Sequence, residues 1–329
     1  MNRTEIFKKF NDLRVLVLGD VMIDRYWTGK VERISPEAPV PVVNLMSTEN
    51  RLGGAANVAL NLQALGATPL LFSVVGDDKE GDDFLTILAE KQLATTGIFR
   101  SAERQTTVKS RVIAGNQHLL RIDAEDQHDL SAKEATKLWE TLQTLFKSQR
   151  FDAILLQDYN KGVLTQSVIH IAMVMAKQHG IPTVVDPKFK NFWAYKNATL
   201  FKPNLKEIEA ALQRKITPTL ENLTAAAAEI RKKLSNQYNL ITLSEKGIFV
   251  DDGTQAFIIP TQPRAIADVC GAGDTVVSVA ALGLALSLDI QLIAAMANIA
   301  GGQVCEKIGV VTVDKVMLEM EMISLKIEP

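Results

Sequence analysis

The stretch Val15-Leu16-Val17-Leu18-Gly19-Asp20 is an unbroken aliphatic run closed by a glycine and a carboxylate. A continuous run of this kind reads as a strand covered on both faces. Similar runs recur at residues 69–75, 153–157, 183–186, 200–202, 240–243 and 248–250. Between most of them apolar residues return with helical spacing, over 55–65, 132–146, 166–179 and 220–234. Strand and helix in alternation predict an α/β layered fold with a mainly parallel sheet.

Two stretches break that rhythm. Residues 26–50 carry Pro36, Pro39 and Pro41 among Val40, Val42, Val43 and Leu45. Residues 104–122 carry Thr106, Val108, Ser110, Val112 and Ile113, then Leu119, Leu120 and Ile122. Both read as extended, partly exposed strands. Structureless loops of that length are uncommon in compact domains, so a small sheet forming a lid is expected, with long surface loops as the alternative. The whole of 1–329 is then one unit with two lid segments inserted in it. No internal repeat or low-complexity linker is evident.

Composition excludes several classes. Hydrophobic residues make up 47% and charged residues 22% of 329, with a formal net charge of -2. No global field recruits nucleic acid or an anionic membrane. The two cysteines, Cys270 and Cys305, form no CxxC, which fits a reducing cytoplasm. The four histidines have no zinc-binding spacing. The N-terminus mixes charges through Met1 to Phe10 and does not read as a signal peptide. The apolar stretch 275–299 is interrupted by Ser278, Ser287, Asp289, Gln291 and Asn298, so it reads as two buried helices rather than a membrane span.

Polar residues gather where strands end: Asp20, Gly76-Asp77-Asp78, Gln157-Asp158, Asp186, Asn204 and Ser244. Ligands of open parallel sheets sit at the carboxyl ends of the strands. Helix capping is the competing explanation for part of the set. GxxxxGK[ST] and GxGxxG are both absent, and Gly19-Asp20-Val21-Met22-Ile23-Asp24 stands where a dinucleotide fingerprint would follow the first strand. What remains is Gly271-Ala272-Gly273-Asp274 ahead of a helical run. Small residues at a helix start let backbone N–H groups face an anion, and Asp274 there suits a general base. A glycine turn with an acidic first helical residue explains the tetrapeptide equally well.

Asp268-Val269-Cys270-Gly271-Ala272-Gly273-Asp274 resembles the C-terminal signature of the ribokinase-like (PfkB) sugar kinases. Gly53-Gly54-Ala55-Ala56-Asn57 resembles their N-terminal signature, and Lys202-Pro203-Asn204-Leu205-Lys206-Glu207 their Asn-x-x-Glu motif. Order and spacing agree over nearly the whole chain. The resemblance implies a three-layer sandwich with a mainly parallel central sheet and a small β-sheet lid. It implies ATP and Mg²⁺, and leaves a monovalent-cation requirement open. Asp274 would be the base, and Gly271, Ala272 and Gly273 the anion hole. Asn204 and Glu207 would position Mg²⁺ through water, beside Lys202 and Asp268 at the nucleotide. Asp20, Asp24, Gly53, Gly54 and Asn57 would meet the sugar. Ser244, Lys246, Gly247 and Asn298 would border the nucleotide. Cys270 stands where many relatives have Thr or Ser, and reads as a small buried side chain.

Residues 33–42 (Arg33 through Val42), Asn116-Gln117-His118-Leu119-Leu120-Arg121-Ile122-Asp123, 157–164 and Val185-Asp186-Pro187-Lys188 resemble the branch of that family that phosphorylates D-glycero-β-D-manno-heptose 7-phosphate at the anomeric hydroxyl. That implies a 1,7-bisphosphate product on the route to ADP-heptose and lipopolysaccharide. The chain ends soon after the kinase pattern closes, so it resembles the form without a fused nucleotidyltransferase. A phosphorylated substrate needs cations, and Lys109, Arg111, Arg121 and Lys161 are the candidates, with Asp158 beside them. Solvated strand charges are the alternative for each. Asp186 and Lys188 face the same edge without an assigned role. Competing readings are a kinase of ribose, fructose, 2-keto-3-deoxygluconate or a hexose phosphate, a non-catalytic sugar-binding protein, and a nicotinamide-dependent enzyme. An exposed lid sheet must be covered, which predicts a homodimer through it.

Overall fold

The computed structural model describes residues 1–115, 117–325 and 327, which leaves Asn116 of the motif quoted above outside the described residues. In chain order the strands are β1 (Arg14–Gly19), β2 (Val21–Ile34), β3 (Pro41–Gly54), β4 (Thr68–Gly76), β5 (Ile98–Ser101), β6 (Val108–Ala114), β7 (Gln117–Ala124), β8 (Ala153–Gln157), β9 (Thr183–Asp186), β10 (Leu200–Phe201), β11 (Tyr238–Thr242), β12 (Ile248–Asp251) and β13 (Ala256–Ile259). The helices are α1 (Arg3–Lys9), α2 (Ala55–Ala64), α3 (Lys79–Glu90), α4 (Ala132–Ser148), α5 (Gln166–His179), α6 (Leu205–Leu212), α7 (Leu220–Leu234), α8 (Ala272–Ala285), α9 (Ile290–Cys305) and α10 (Lys315–Ser324).

Nine strands form one sheet in the order β13-β12-β11-β10-β9-β8-β1-β4-β5. Its pairs are parallel from β11 to β5, and the β11–β12 and β12–β13 pairs are antiparallel, so β12 is the strand that runs against the others. Alternate strand residues enter two cores. Val15, Val17, Leu155 and Val184 pack with α2, α8, α9 and α10. Leu16, Leu18, Ile154, Leu156 and Val185 pack with α4, α5 and α7. Burial on both faces is why these strands read as unbroken apolar runs. The result is the expected three-layer sandwich. The 275–299 stretch resolves into α8 and α9, packed against each other. Among the described residues no helix is long and apolar enough to cross a membrane.

The two irregular stretches do pair. They form a second, four-stranded sheet in the order β3-β2-β6-β7. β2 lies antiparallel to β3 and parallel to β6, and β6 is antiparallel to β7. β2 leaves the main sheet directly after β1, and β3 returns into α2. Asp20 marks the exit and Gly54 the return: the Ala55 N–H donates to the Asp20 carbonyl at 2.9 Å. Gly54 has φ +61°, and a Cβ there would lie 2.4 Å from that carbonyl oxygen. Glycine alone satisfies both conditions.

The Gly54→Ala substitution therefore strains the junction of the two sheets. We expect a loss of more than ~1 kcal/mol in a denaturant titration. An unchanged midpoint would show that the junction relaxes freely.

Candidate active site

The carboxyl ends of β1, β8, β9 and β10 converge on the N-terminus of α8. Gly271 occupies the cap position with φ +80°, and no side chain caps the helix. A Cβ on Gly271 would meet the Asn57 amide nitrogen at 2.9 Å. The first N–H groups of a helix have no partner within it, so this end offers donors and a positive dipole.

Asp274 sits in that first turn and is buried. Its Oδ2 accepts from Asn57 Nδ2 at 2.8 Å. Its Oδ1 accepts from the Tyr159 hydroxyl at 2.8 Å and from Gln157 Nε2 at 3.0 Å. Burial pushes its pKa up to about 7, aided by nearby Asp186 and opposed by Asn57, Tyr159 and Lys202. A carboxylate ionised only near neutrality is a competent proton acceptor. Gln157 also donates to Asp186 at 3.2 Å, while its own buried carbonyl has no partner. Asp186 forms a buried ion pair with Lys202 at 3.0 Å. A Cβ on Gly273 would lie 3.7 Å from Lys202 Nζ, so this ammonium faces the start of α8.

Asn204 and Glu207 form a reciprocal capping box at α6. Asn204 Oδ1 accepts from the Glu207 N–H at 2.9 Å, and Glu207 Oε2 from the Asn204 N–H at 2.8 Å. Glu207 Oε1 accepts from Lys188. Among the described residues no group of three His, Cys, Asp or Glu is placed to hold a metal. One amide and one carboxylate with their oxygens already bonded fit a hydrated Mg²⁺ carried by phosphates, not a protein cage.

Several residues expected at the ligand are bound up in the fold. Asp20 was expected to meet a sugar hydroxyl. Its oxygens accept the N–H groups of Tyr159, Lys161 and Val163 at 2.8, 3.0 and 3.0 Å, fixing the loop after β8. Asp158 accepts from the Tyr195 hydroxyl at 2.6 Å and the Asn160 N–H at 2.8 Å, and burial raises its pKa to about 6. Asp268 accepts the N–H groups of Cys270 and Gly309, which shapes the loop ahead of the anion hole. Cys270, expected to be a small buried side chain, is only half-buried; burial, together with the Asp268 carboxylate, still pushes its thiol up to about 11.

The cations are also paired. Arg111 bonds Asp24 in the small sheet. Lys109 meets Asp123 and Glu125, both at 2.9 Å, and Lys161 meets Glu125 at 2.6 Å. Arg121 lies 2.9 Å from Asp123 with its side chain exposed. Asp24 Oδ2 stands 2.1 Å from where a Gly53 Cβ would be, so only glycine admits it. Further along the edge, Ser244 and Lys246 are exposed, and Gly247 (φ +96°) passes over the Ile259 carbonyl. Asn298 donates to the carbonyls of Ile259 and Pro260 and borders a cavity of about 40 Å³ with Ile299 and Leu325. A larger open cavity of about 1090 Å³, with His170, Lys196 and Tyr238 in its wall, lies at the opposite edge and includes none of the expected residues.

Tyr159 and Glu125 were given no role from sequence, and Gln157 was singled out only as a polar residue at a strand end. Tyr159 and Gln157 flank Asp158 at the end of β8, so proximity to a strand end was the available signal. A tyrosine there reads equally well as core.

A family model described as "pfkB family carbohydrate kinase" matches residues 12–315. The bifunctional protein HldE of Geotalea uraniireducens is 42% identical over 318 residues, 95% of this chain and 64% of that protein. HldE of Syntrophotalea carbinolica is 41% identical over 319 residues, with the same coverage. The chain thus spans about 64% of the length of these relatives. Among solved structures, phosphofructokinase-2 from Escherichia coli in complex with potassium superposes with a TM-score of 0.78 at 19% identity, covering 95% of this chain and 99% of that one. Arabidopsis thaliana ribokinase complexed with ribose and ATP gives 0.70 at 16% identity, covering 93% and 98%. At those identities the structures speak for the fold alone.

A carboxyl group whose pKa is raised on folding stabilises the protein below its unfolded pKa, and that stabilisation is lost as pH rises through the folded value. For Asp274 the window runs from about 4 to about 7. The melting temperature of Asp274→Asn relative to the parent should therefore climb between pH 4 and pH 8. A flat difference would mean that Asp274 titrates normally.

Proposed function

Since the chain belongs to the pfkB family of carbohydrate kinases, phosphotransferases acting on sugar hydroxyls, we propose that its acceptor is D-glycero-β-D-manno-heptose 7-phosphate, phosphorylated at the anomeric hydroxyl. The 1,7-bisphosphate would serve ADP-heptose synthesis in the cytoplasm. The observation that carries the chemistry is Asp274, buried at an open helix N-terminus and ionised near neutral pH. The sequence resemblance in 33–42, 116–123, 157–164 and 185–188 supports the heptose, as does the match of 95% of the chain to HldE proteins.

Asp274 takes the proton from the attacking hydroxyl, and its hydrogen bonds to Asn57, Gln157 and Tyr159 aim the carboxylate. The backbone N–H groups at Gly271, Ala272 and Gly273 face the charge that develops on the transferred group, with Lys202 behind them. ATP with Mg²⁺ would supply the phosphoryl group, and Asn204 and Glu207 are the residues that would hold the hydrated ion. Asp24, Gly53 and Gly54 line the sugar side. Ser244, Lys246, Gly247 and Asn298 border the nucleotide. Lys109, Arg111, Arg121 and Lys161 serve the 7-phosphate. Because each of those cations already has a carboxylate partner, an unphosphorylated sugar is the second reading.

Exposed Leu45, Met46, Leu120 and Ile122 on the small sheet support a homodimer formed by two such sheets.

Phosphotransfer from ATP to heptose 7-phosphate, fructose 6-phosphate, ribose and fructose tests the acceptor, and an unphosphorylated sugar as best substrate would overturn it. Asp274→Asn should lower kcat by roughly 10²–10⁴-fold. In the parent, kcat/KM should fall as pH drops below about 7, because the base must be ionised. Light scattering at micromolar concentration should give a dimer, and Leu120→Asp with Ile122→Lys should give a monomer.

A further inference from the structure

One carboxylate ties the small sheet to the loop after β8. Glu125 follows β7 directly. Its Oε1 accepts from Lys161 Nζ at 2.6 Å, and its Oε2 from Lys109 Nζ at 2.9 Å. The three side chains are only 11–15% exposed. Neither lysine is remote from the chemistry. The Lys161 N–H is held by Asp20 beside that of Tyr159, which bonds Asp274. Lys109 is in register with Asp24, the carboxylate packed on Gly53.

Two ammonium groups thus share Glu125 at the sugar side of the cleft, and Lys109 also keeps Asp123 at 2.9 Å, a partner that stays in place when Glu125 moves. Burial would raise the Glu125 pKa, but hydrogen bonds from Lys161, Lys109 and Gln127 outweigh it and bring it to about 2. The carboxylate is charged at every working pH.

We propose that Glu125 occupies, in the sugar-free protein, the seat between Lys109 and Lys161 that the phosphate of a phosphorylated sugar takes. Glu125 is then a built-in competitor at the phosphate subsite. This rests on the sugar-phosphate reading of the acceptor. A phosphate monoester carries about 1.5 to 2 negative charges at neutral pH and three acceptor oxygens, so it satisfies two ammonium groups better than one carboxylate. Displaced, Glu125 keeps a partner in its own exposed segment, Gln127 Nε2 at 2.9 Å. A weak monoanion gains nothing from the exchange. A sugar without phosphate leaves the bridge closed. The subsite thereby discriminates by charge as well as by shape.

Inorganic phosphate, without sugar or nucleotide, is the probe. Titration calorimetry on the parent and on Glu125→Gln should show phosphate binding roughly tenfold tighter in the variant, since one opposing charge is removed at close range. The KM for the phosphorylated sugar should fall in parallel. Glu125→Asp, too short to reach both lysines, should shift phosphate binding the same way and serves if the glutamine variant does not fold. Unchanged or weaker phosphate binding in a folded variant would overturn the proposal and leave Glu125 a strut. If the parent instead prefers an unphosphorylated sugar, the acceptor reading fails, while the phosphate titration still decides what Glu125 does.

Discussion

The buried carboxylate of Asp274 is the point on which the rest of the site depends. Four elements meet there. α8 carries it, α2 supplies Asn57, β8 supplies Gln157, and the following loop supplies Tyr159. Burial without those donors would leave the group neutral at any working pH. Donors without burial would leave it as weak a base as an ordinary aspartate. The balance of the two places its pKa near 7. It also makes the site a liability to stability, because the ion is kept where water would serve it better.

The carboxylates at the strand ends divide into two kinds of work. Asp20, Asp158 and Asp268 bond backbone N–H groups or a buried tyrosine and hold loops in shape. Asp78 does the same, capping α3 and accepting the Thr106 N–H at 2.7 Å. Asp186 and Asp274 instead face each other across Gln157 at the α8 terminus. Loops that must leave a sheet edge sharply cannot satisfy their own N–H groups, so fixed acceptors are needed to hold them. The candidate site therefore rests on a scaffold made from the same residue type.

Charge pairing extends into the small sheet. Lys109, Arg111, Arg121 and Lys161 have carboxylate partners, so the basic cluster is nearly neutral. Such a cluster avoids unpaired buried cations, which are costly.

The sequence by itself determined the layers, because strands buried on both faces must be continuously apolar and their helices must repeat at helical spacing. Val15-Leu16-Val17-Leu18 and its counterparts carried that information locally. It also determined where the anion-facing helix starts, since Gly271-Ala272-Gly273 has no side chain to block it. The proline-broken run 26–50 and the alternating run 104–122 foretold the small sheet, but not that β2 would pair with β6 in parallel. Only the tertiary structure decided which carboxylates accept from loop N–H groups and which face the start of α8. Asp20 and Asp274 look alike along the chain, each next to a glycine. What separates them is the identity of the donors within 3 Å, and those donors lie from 115 to 217 residues away for Asp274 and from 139 to 143 for Asp20. A hydrogen bond is set by distance in space, and a strand-end position does not report what the chain will fold against it.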